Sequence, residues 1–260
     1  MPHMWEEPCI SGKNGSGAVF FSGCSLGCVF CQNHEISRGK KGERITKQRF
    51  ADICFELKAK SVHNINLVTP SHFAVQIAEV LTDIKKDLGL PVICNCSGYE
   101  SDEILDLLLP VVDVFLPDFK FFSPDVSQKY ANCRNYFEVA VKAVERMAKK
   151  TGKPVFDADG MLISGTMVRH LILPGNRHDS ICIVNELARR FESDEILVSL
   201  MSQYVSNGSP KAPSRRLTTF EYESVAREVE KAGFSGYFQE ITSAKTDYIP
   251  DFDLKGVTKE

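Results

Sequence analysis

No charge dominates this chain: 31 Lys and Arg against 34 Asp and Glu leave a net charge of −3. That balance gives no electrostatic footprint for nucleic acid. Long hydrophobic runs are also missing. The most apolar stretch, Ile104 to Phe119, is broken by Asp106, Asp113 and Asp118 and by Pro110 and Pro117, so it cannot serve as a membrane span. Met1 to Glu7 lacks the basic segment and apolar run of a secretory signal, and a cytoplasmic location is expected. No linker divides the sequence, and no repeat rises above the strand–helix period. One domain is expected over residues 1–260, with a core at about 17–205 and a C-terminal helix and tail at about 206–260. The Gly-, Pro- and Ser-rich stretch from Ser206 to Ser214 reads as a surface loop.

What the chain does hold is cysteine, nine in all, three of them in the eight residues Cys24-Ser-Leu-Gly-Cys28-Val-Phe-Cys31. The spacing is C-x3-C-x2-C, set among Gly, Ser and Asn rather than in an apolar core. Three such thiolates can ligate three irons of a [4Fe–4S] cluster. With no fourth cysteine in the loop, one iron is left open to a small molecule. Zinc with His34 as fourth ligand is the alternative, but no second C-x2-C pair follows, as paired zinc sites require. Cysteines in a chain retained inside the cell read as metal ligands or reduced thiols rather than disulfides.

Apolar runs alternate with amphipathic segments. Strands are predicted at Ala18–Phe21, Ile65–Val68, Pro91–Cys96, Val111–Leu116, Thr166–Leu173 and Ile196–Leu200. Between them lie helices, one capped by Thr46 with Phe50, Ile53, Cys54 and Leu57 on one face, another with Ile77, Val80, Ile84 and Leu88 inward and ended by Gly89. Short helices follow Ser101 and Ser123. Longer ones run from Asn135 to about Lys150, across Ile181, Val184, Leu187 and Phe191, and from Thr219 to about Gly233. Repeated β-then-α units argue for a parallel sheet with helices outside. Six are too few for a closed eight-stranded barrel, so the expected fold is α/β, a partial (β/α)6 barrel, curved and open on one side.

In such folds functional groups sit at the carboxyl ends of the strands. Those ends carry the cysteine loop, Thr69-Pro70-Ser71-His72, Asn95-Cys96-Ser97-Gly98-Tyr99, Pro117-Asp118-Phe119-Lys120, Arg169-His170 with Pro174-Gly175, and Ser202-Gln203-Tyr204. Polar residues recur where apolar strands stop.

The cysteine spacing, with Phe30 just before the third cysteine, resembles the radical SAM superfamily. The chain resembles in particular its pyruvate formate-lyase activating enzyme-related branch, in an uncharacterised subgroup without the activase signature. The likeness rests on Glu6-Glu7-Pro8-Cys9-Ile10-Ser11-Gly12, Gly15-Ser16-Gly17, Phe20-Phe21-Ser22-Gly23-Cys24, Cys31-Gln32-Asn33, Ser97-Gly98-Tyr99, Leu116-Pro117-Asp118-Phe119-Lys120 and Arg169-His170-Leu171 with Leu173-Pro174-Gly175. It implies a partial TIM-like barrel of the radical SAM type and two cofactors, a [4Fe–4S] cluster on Cys24, Cys28 and Cys31 and S-adenosylmethionine (SAM) on the open iron. Phe30 is then expected against the adenine. Thr69-Pro70-Ser71 stands where the superfamily has Gly-Gly-Glu; the carboxylate is missing, so backbone carbonyls of the Thr69 segment or Ser71 must do its work at the cofactor. Asn95 and Ser97 fall near the cofactor, and Asp118 and Lys120 match an Asp-x-Lys, Lys120 for the SAM carboxylate. Arg169 matches a cofactor-contacting arginine, and Gln203 stands in place of a histidine.

Departures limit the likeness. The arginine- and tryptophan-containing activase signature is absent, as is an eight-cysteine ferredoxin-like insert. Cys94 and Cys96 share a strand face and read as packing, with Cys96 within approach of the site; Cys54, Cys133 and Cys182, on helical segments, read as core or surface residues. His63, His72 and His178 read as structural. The resemblance implies a radical enzyme acting on a protein, peptide or small molecule, with a glycyl-radical protein as its favoured partner and a flavodoxin- or ferredoxin-type reductant. The contrasting reading is a non-catalytic iron–sulfur sensor or electron carrier. No nucleic-acid or membrane partner is expected.

Overall fold

The computed structural model describes residues 2–39, 41–239, 252–254, 256 and 257. In chain order its elements are β1 (Pro2–His3), α1 (Pro8–Ser11), β2 (Ser16–Phe20), α2 (His34–Ser37), α3 (Lys47–Ala59), β3 (Ile65–Val68), α4 (Ala74–Leu88), β4 (Val92–Cys96), α5 (Asp102–Leu108), β5 (Val114–Pro117), α6 (Pro124–Ala131), α7 (Tyr136–Thr151), β6 (Val155–Phe156), β7 (Leu162–Leu171), α8 (Arg177–Arg190), β8 (Leu197–Met201), α9 (Thr219–Ala232) and β9 (Gly236–Phe238). The sheet runs β1-β2-β3-β4-β5-β7-β8-β9, with β6 paired to β7 alone. Pairing is parallel from β2 to β9 along that path, while β1 and β6 pair antiparallel. The sheet curls into the partial barrel of the expected α/β fold.

All six expected strands are present, as β2, β3, β4, β5, β7 and β8. Boundaries moved where side chains compete with the ladder. The fourth was expected from Val111, yet β5 begins at Val114. Asp113 intervenes, its carboxylate accepting from Val92 N at 2.9 Å and pairing with Lys85 at 2.8 Å. The fifth was expected from Thr166, yet β7 begins at Leu162, where β6 lies against it. Strands β1, β6 and β9 are two or three residues long and carry no alternation to read.

The helices form where their apolar faces meet the sheet. Thr46 caps α3 by accepting from Arg49 N, and Thr218 forms a capping box with Glu221 at the start of α9. In α4 the buried face is Ala74, Ile77, Val80, Leu81 and Leu88. Each large aliphatic side chain there contributes roughly 1.5–3 kcal/mol by leaving water. Helices α3 to α5, with Ala143 and Met147 of α7, cover one half of the sheet, and α6 to α9 the other. A third cluster fills the bore: Cys9, Ile10, Ile93, Val114, Leu116, Leu162, Met167 and Leu197. Helix α1 therefore plugs the barrel from within. Asn64 holds it there, donating to Ile10 O at 2.8 Å and accepting from Ser16 Oγ at 2.6 Å.

Candidate active site

Alternation along each strand decides which residues reach the barrel mouth. On β4, Cys94 and Cys96 pack toward the helices, so Asn95 faces the bore. On β7, Val168 packs outward, and Arg169 and Leu171 face inward. His170 is buried with Nδ1 2.7 Å from Phe119 O, and burial lowers its pKa to about 4, leaving it neutral. A cavity of about 220 Å³ opens at the carboxyl ends of the strands. Cys24, Cys28, Phe30, Cys31, Thr69, Asn95, Ser97, Asp118, Lys120, Arg169 and Gln203 all line it, as does Cys96 at the end of β4. Of the residues proposed from sequence, Ser71 alone is turned away. Its hydroxyl donates to Glu100 Oε1 at 2.8 Å.

The three cysteines are free thiols that all line the cavity. Burial pushes the Cys28 thiol up to about 12; Lys120 opposes that, and Cys31 and Cys24 add to it. Among the described residues, no three His, Cys, Asp or Glu side chains gather as around a single ion. A cubane asks instead for three separate sulfur positions, one per iron, and this donor set fits it. His34, the zinc alternative's fourth ligand, is exposed and outside the cavity.

Lys120 pairs with Asp118 two residues before it. Burial disfavours its charge, but Asp118 and Cys28 outweigh that and raise its pKa above the ordinary lysine value. Phe30 is buried, its ring 6.1 Å from those of Phe121 and Tyr130 and 6.5 Å from Tyr204; one side belongs to the core and one to the cavity. Thr69 sits at φ +58°, a strained place for a β-branched residue. Its N–H donates to Asn95 O at 2.8 Å. The Gln203 carbonyl accepts from Gln32 Nε2 at 2.9 Å, which ties the end of β8 to the cysteine loop.

Arg169 was expected to meet the cofactor, but its guanidinium is engaged by two carboxylates, Glu6 and Glu7, each at 3.1 Å. The Glu7 contact, from Arg169 Nε to Glu7 Oε1, is an ion pair out of hydrogen-bond alignment, since Nε has no aligned acceptor; the other Glu7 oxygen, Oε2, is buried without a hydrogen-bond partner. Glu6 lines the cavity floor and also accepts from Asn66 at 3.2 Å. Burial raises the pKa of Glu6, Arg169 pulls it down, and Glu7 pushes it back up. Sequence reasoning gave the Glu6-Glu7 pair no role. The signal was Asn66, a polar residue inside the otherwise apolar run Ile65–Val68, which needs a polar partner inside the barrel.

Glu100 and Tyr136 were also missed. Glu100 is buried and accepts from Ser71 Oγ, Ser97 Oγ at 3.0 Å and Ser97 N at 3.3 Å, bracing two strand ends. The buried Tyr136 hydroxyl accepts from Lys120 N at 2.9 Å and lies 2.8 Å from Ser97 O and 2.7 Å from Asp118 O, to which it donates. Only glycine fits between them. Gly98 has φ +75°, and a Cβ there would lie 2.3 Å from Asp118 O and 3.1 Å from Tyr136 Oη. Gly98→Ala is expected to cost roughly 2–5 kcal/mol from left-handed strain plus overpacking. An unchanged melting temperature of the metal-free protein would refute that placement.

Among the described residues no helix is long and apolar enough to cross a membrane. Comparison with known proteins adds to this geometry. Residues 18–179 match the sequence model of the Radical SAM superfamily. An uncharacterized protein of Methanocaldococcus jannaschii, MJ0674, is 29% identical over 244 residues; the match covers 88% of this chain and 65% of that protein. The fold is similar to that of methylornithine synthase (PylB), with a TM-score of 0.58 at 14% identity over 84% of this chain and 63% of that one. Streptococcus suis SuiB, solved bound to S-adenosylmethionine, gives 0.57 at 11% identity, covering 87% and 51%. A domain of a pyruvate-formate lyase-activating enzyme from Bacteroides vulgatus gives 0.50 at 14% identity, covering 68% and 99%. At these identities the solved structures speak for the fold alone.

Proposed function

The chain belongs to the radical SAM superfamily, and from that premise we propose that it cleaves SAM reductively at a [4Fe–4S] cluster held by Cys24, Cys28 and Cys31. One observation carries the reading: three free thiols share a strand-end cavity with a lysine–carboxylate pair and a row of polar strand ends. When bound, the reduced cluster supplies the electron that splits SAM into methionine and a 5′-deoxyadenosyl radical, which takes a hydrogen atom from the substrate. The protein's part is to bind, orient and exclude.

Lys120 has three N–H donors, one engaged by Asp118, which leaves two for the SAM carboxylate. Phe30 offers an apolar face for the adenine. Thr69, Asn95, Ser97 and Gln203 supply donors and acceptors around the mouth, with Ser71 acting from behind through Glu100. Arg169, held by Glu6 and Glu7, shapes the floor. A reducing, cytoplasmic setting suits such a cluster.

The favoured substrate is a glycyl-radical protein or another peptide, on the motif resemblance to the activating-enzyme branch; a small molecule is the alternative. A flavodoxin- or ferredoxin-type protein is the reductant. A purely electron-carrying or sensing role leaves the polar cavity without use.

Anaerobic reconstitution followed by dithionite and SAM should yield 5′-deoxyadenosine; none from an intact cluster would end the proposal. Lys120→Ala should weaken SAM binding roughly tenfold to hundredfold, the worth of hydrogen bonds to charged groups, with cluster absorbance unchanged. Unaltered affinity would remove Lys120 from the SAM site. A glycyl-radical doublet in the electron paramagnetic resonance of a candidate partner checks the favoured substrate.

A further inference from the structure

A second cleft, of about 450 Å³, lies behind the cysteine loop and is lined by Ser25, Leu26, Gly27, Arg38, Tyr99 and the turn from Ala131 to Asn135. Leu26 and Gly27 also line the main cavity. The two hollows are therefore separated by a single thickness of chain, the residues between Cys24 and Cys28. Cys133, expected on a helix, lies instead in the turn after α6. The charge of the cleft runs against that of the molecule. The chain carries −3 overall, yet the lining holds Arg38 and Arg134 and, among the described residues, no carboxylate.

The two arginines have different tasks. Arg38 Nη2 donates to Gly27 O at 2.8 Å and so braces the loop. Arg134 stands outward with its side chain 64% exposed, and its one ion pair among the described residues, 3.0 Å to Asp125, is with a carboxylate still more open to water. Exposed pairs of this kind contribute little, so Arg134 is readily turned to a partner's carboxylate. Two residues further along the cysteine segment Asn207 donates to Val29 O at 2.9 Å. The loop is thus tied at Gly27 and Val29 while Ser25 stays exposed.

The geometry points to this cleft as the docking site of an acidic electron-transfer protein, which delivers its electron through the Ser25–Gly27 segment. The inference rests on the reductive reading above, since that reaction consumes one electron from outside. The donor, a one-electron carrier such as a flavodoxin hydroquinone, is oxidised as the cluster is reduced, and no bond is formed between the proteins. Redox encounters bury little surface, below about 1,200 Å². Their rates are set by steering between complementary charges rather than by area. A small basic cleft on an acidic protein, one loop away from the thiols, meets that requirement.

The test uses the cluster-loaded protein and follows cluster reduction by stopped flow, with an acidic flavodoxin hydroquinone as donor. Photoreduced 5-deazariboflavin is the uncharged comparison. Arg134→Glu should slow flavodoxin-driven reduction about tenfold or more at low ionic strength, with the gap closing as salt screens the charges. Deazariboflavin-driven reduction and SAM cleavage should be unchanged. Arg189→Glu on α8, where the arginine side chain is 63% exposed, much as Arg134 is, should leave both rates alone. The inference is overturned if Arg134→Glu reduces at the native rate with flavodoxin, if it loses the deazariboflavin rate equally, or if Arg189→Glu is as slow. Absence of SAM cleavage by the native protein with deazariboflavin would instead strike the functional reading.

Discussion

Cys28→Ala should abolish SAM cleavage outright. Cys28 is the middle thiol of the loop and its most buried, 8% exposed and packed with Leu26 and Phe30. Each thiolate of a cubane holds its own iron, so no neighbouring sulfur substitutes for it. Cys24→Ala and Cys31→Ala should share the phenotype. Folding is not at issue, because trimming so small a side chain leaves a small void, and cavity costs scale with volume. The checks are 5′-deoxyadenosine formation, iron content and the melting temperature of the metal-free variant. Cys54→Ala and Cys182→Ser, which line neither cavity, serve as controls and should keep full turnover. Turnover by Cys28→Ala, or loss in either control, would undo the assignment of the cluster ligands.

What could be read in the sequence follows from what is local. The cysteine loop, the six strands and the Thr46 cap each depend on residues within a few positions of one another, and each is found. Strand ends gave the cavity because alternation and the strand-end rule act together. Long-range polar partnerships were not legible. Nothing near Ser71 announces that its hydroxyl turns to Glu100 on a neighbouring strand end. Arg169 matched a cofactor-binding arginine by motif, yet Glu6 and Glu7 lie more than 160 positions away, brought to it by α1 entering the bore. Strand β9 escaped because it holds three residues and begins with Gly236, where a Cβ would meet Val198 O at 1.8 Å. Close backbone approach there replaces the side-chain pattern that betrays a strand.

Arg169→Met should destabilise the barrel strongly. The Arg169, Glu6 and Glu7 side chains are only 11%, 7% and 6% exposed. Removing the guanidinium leaves two adjacent carboxylates in the bore with no counter-charge, and breaking a buried pair in this way costs about 3–5 kcal/mol. For a chain of this size that corresponds to roughly 10 °C in melting temperature. The pH dependence has a definite sign. Burial already raises the pKa of Glu6, and Arg169 is what holds it down, so the variant's folded state retains protons that the unfolded chain gives up. A raised carboxyl pKa stabilises below the unfolded-state value and is lost as pH climbs through the folded-state value. The deficit relative to the native protein should therefore be small in acid and grow toward neutral pH. Glu6→Gln and Glu7→Gln added to Arg169→Met remove the stranded charges together and should recover much of the loss. A deficit independent of pH, or a triple variant no more stable than the single one, would show that Arg169 acts through packing rather than through charge.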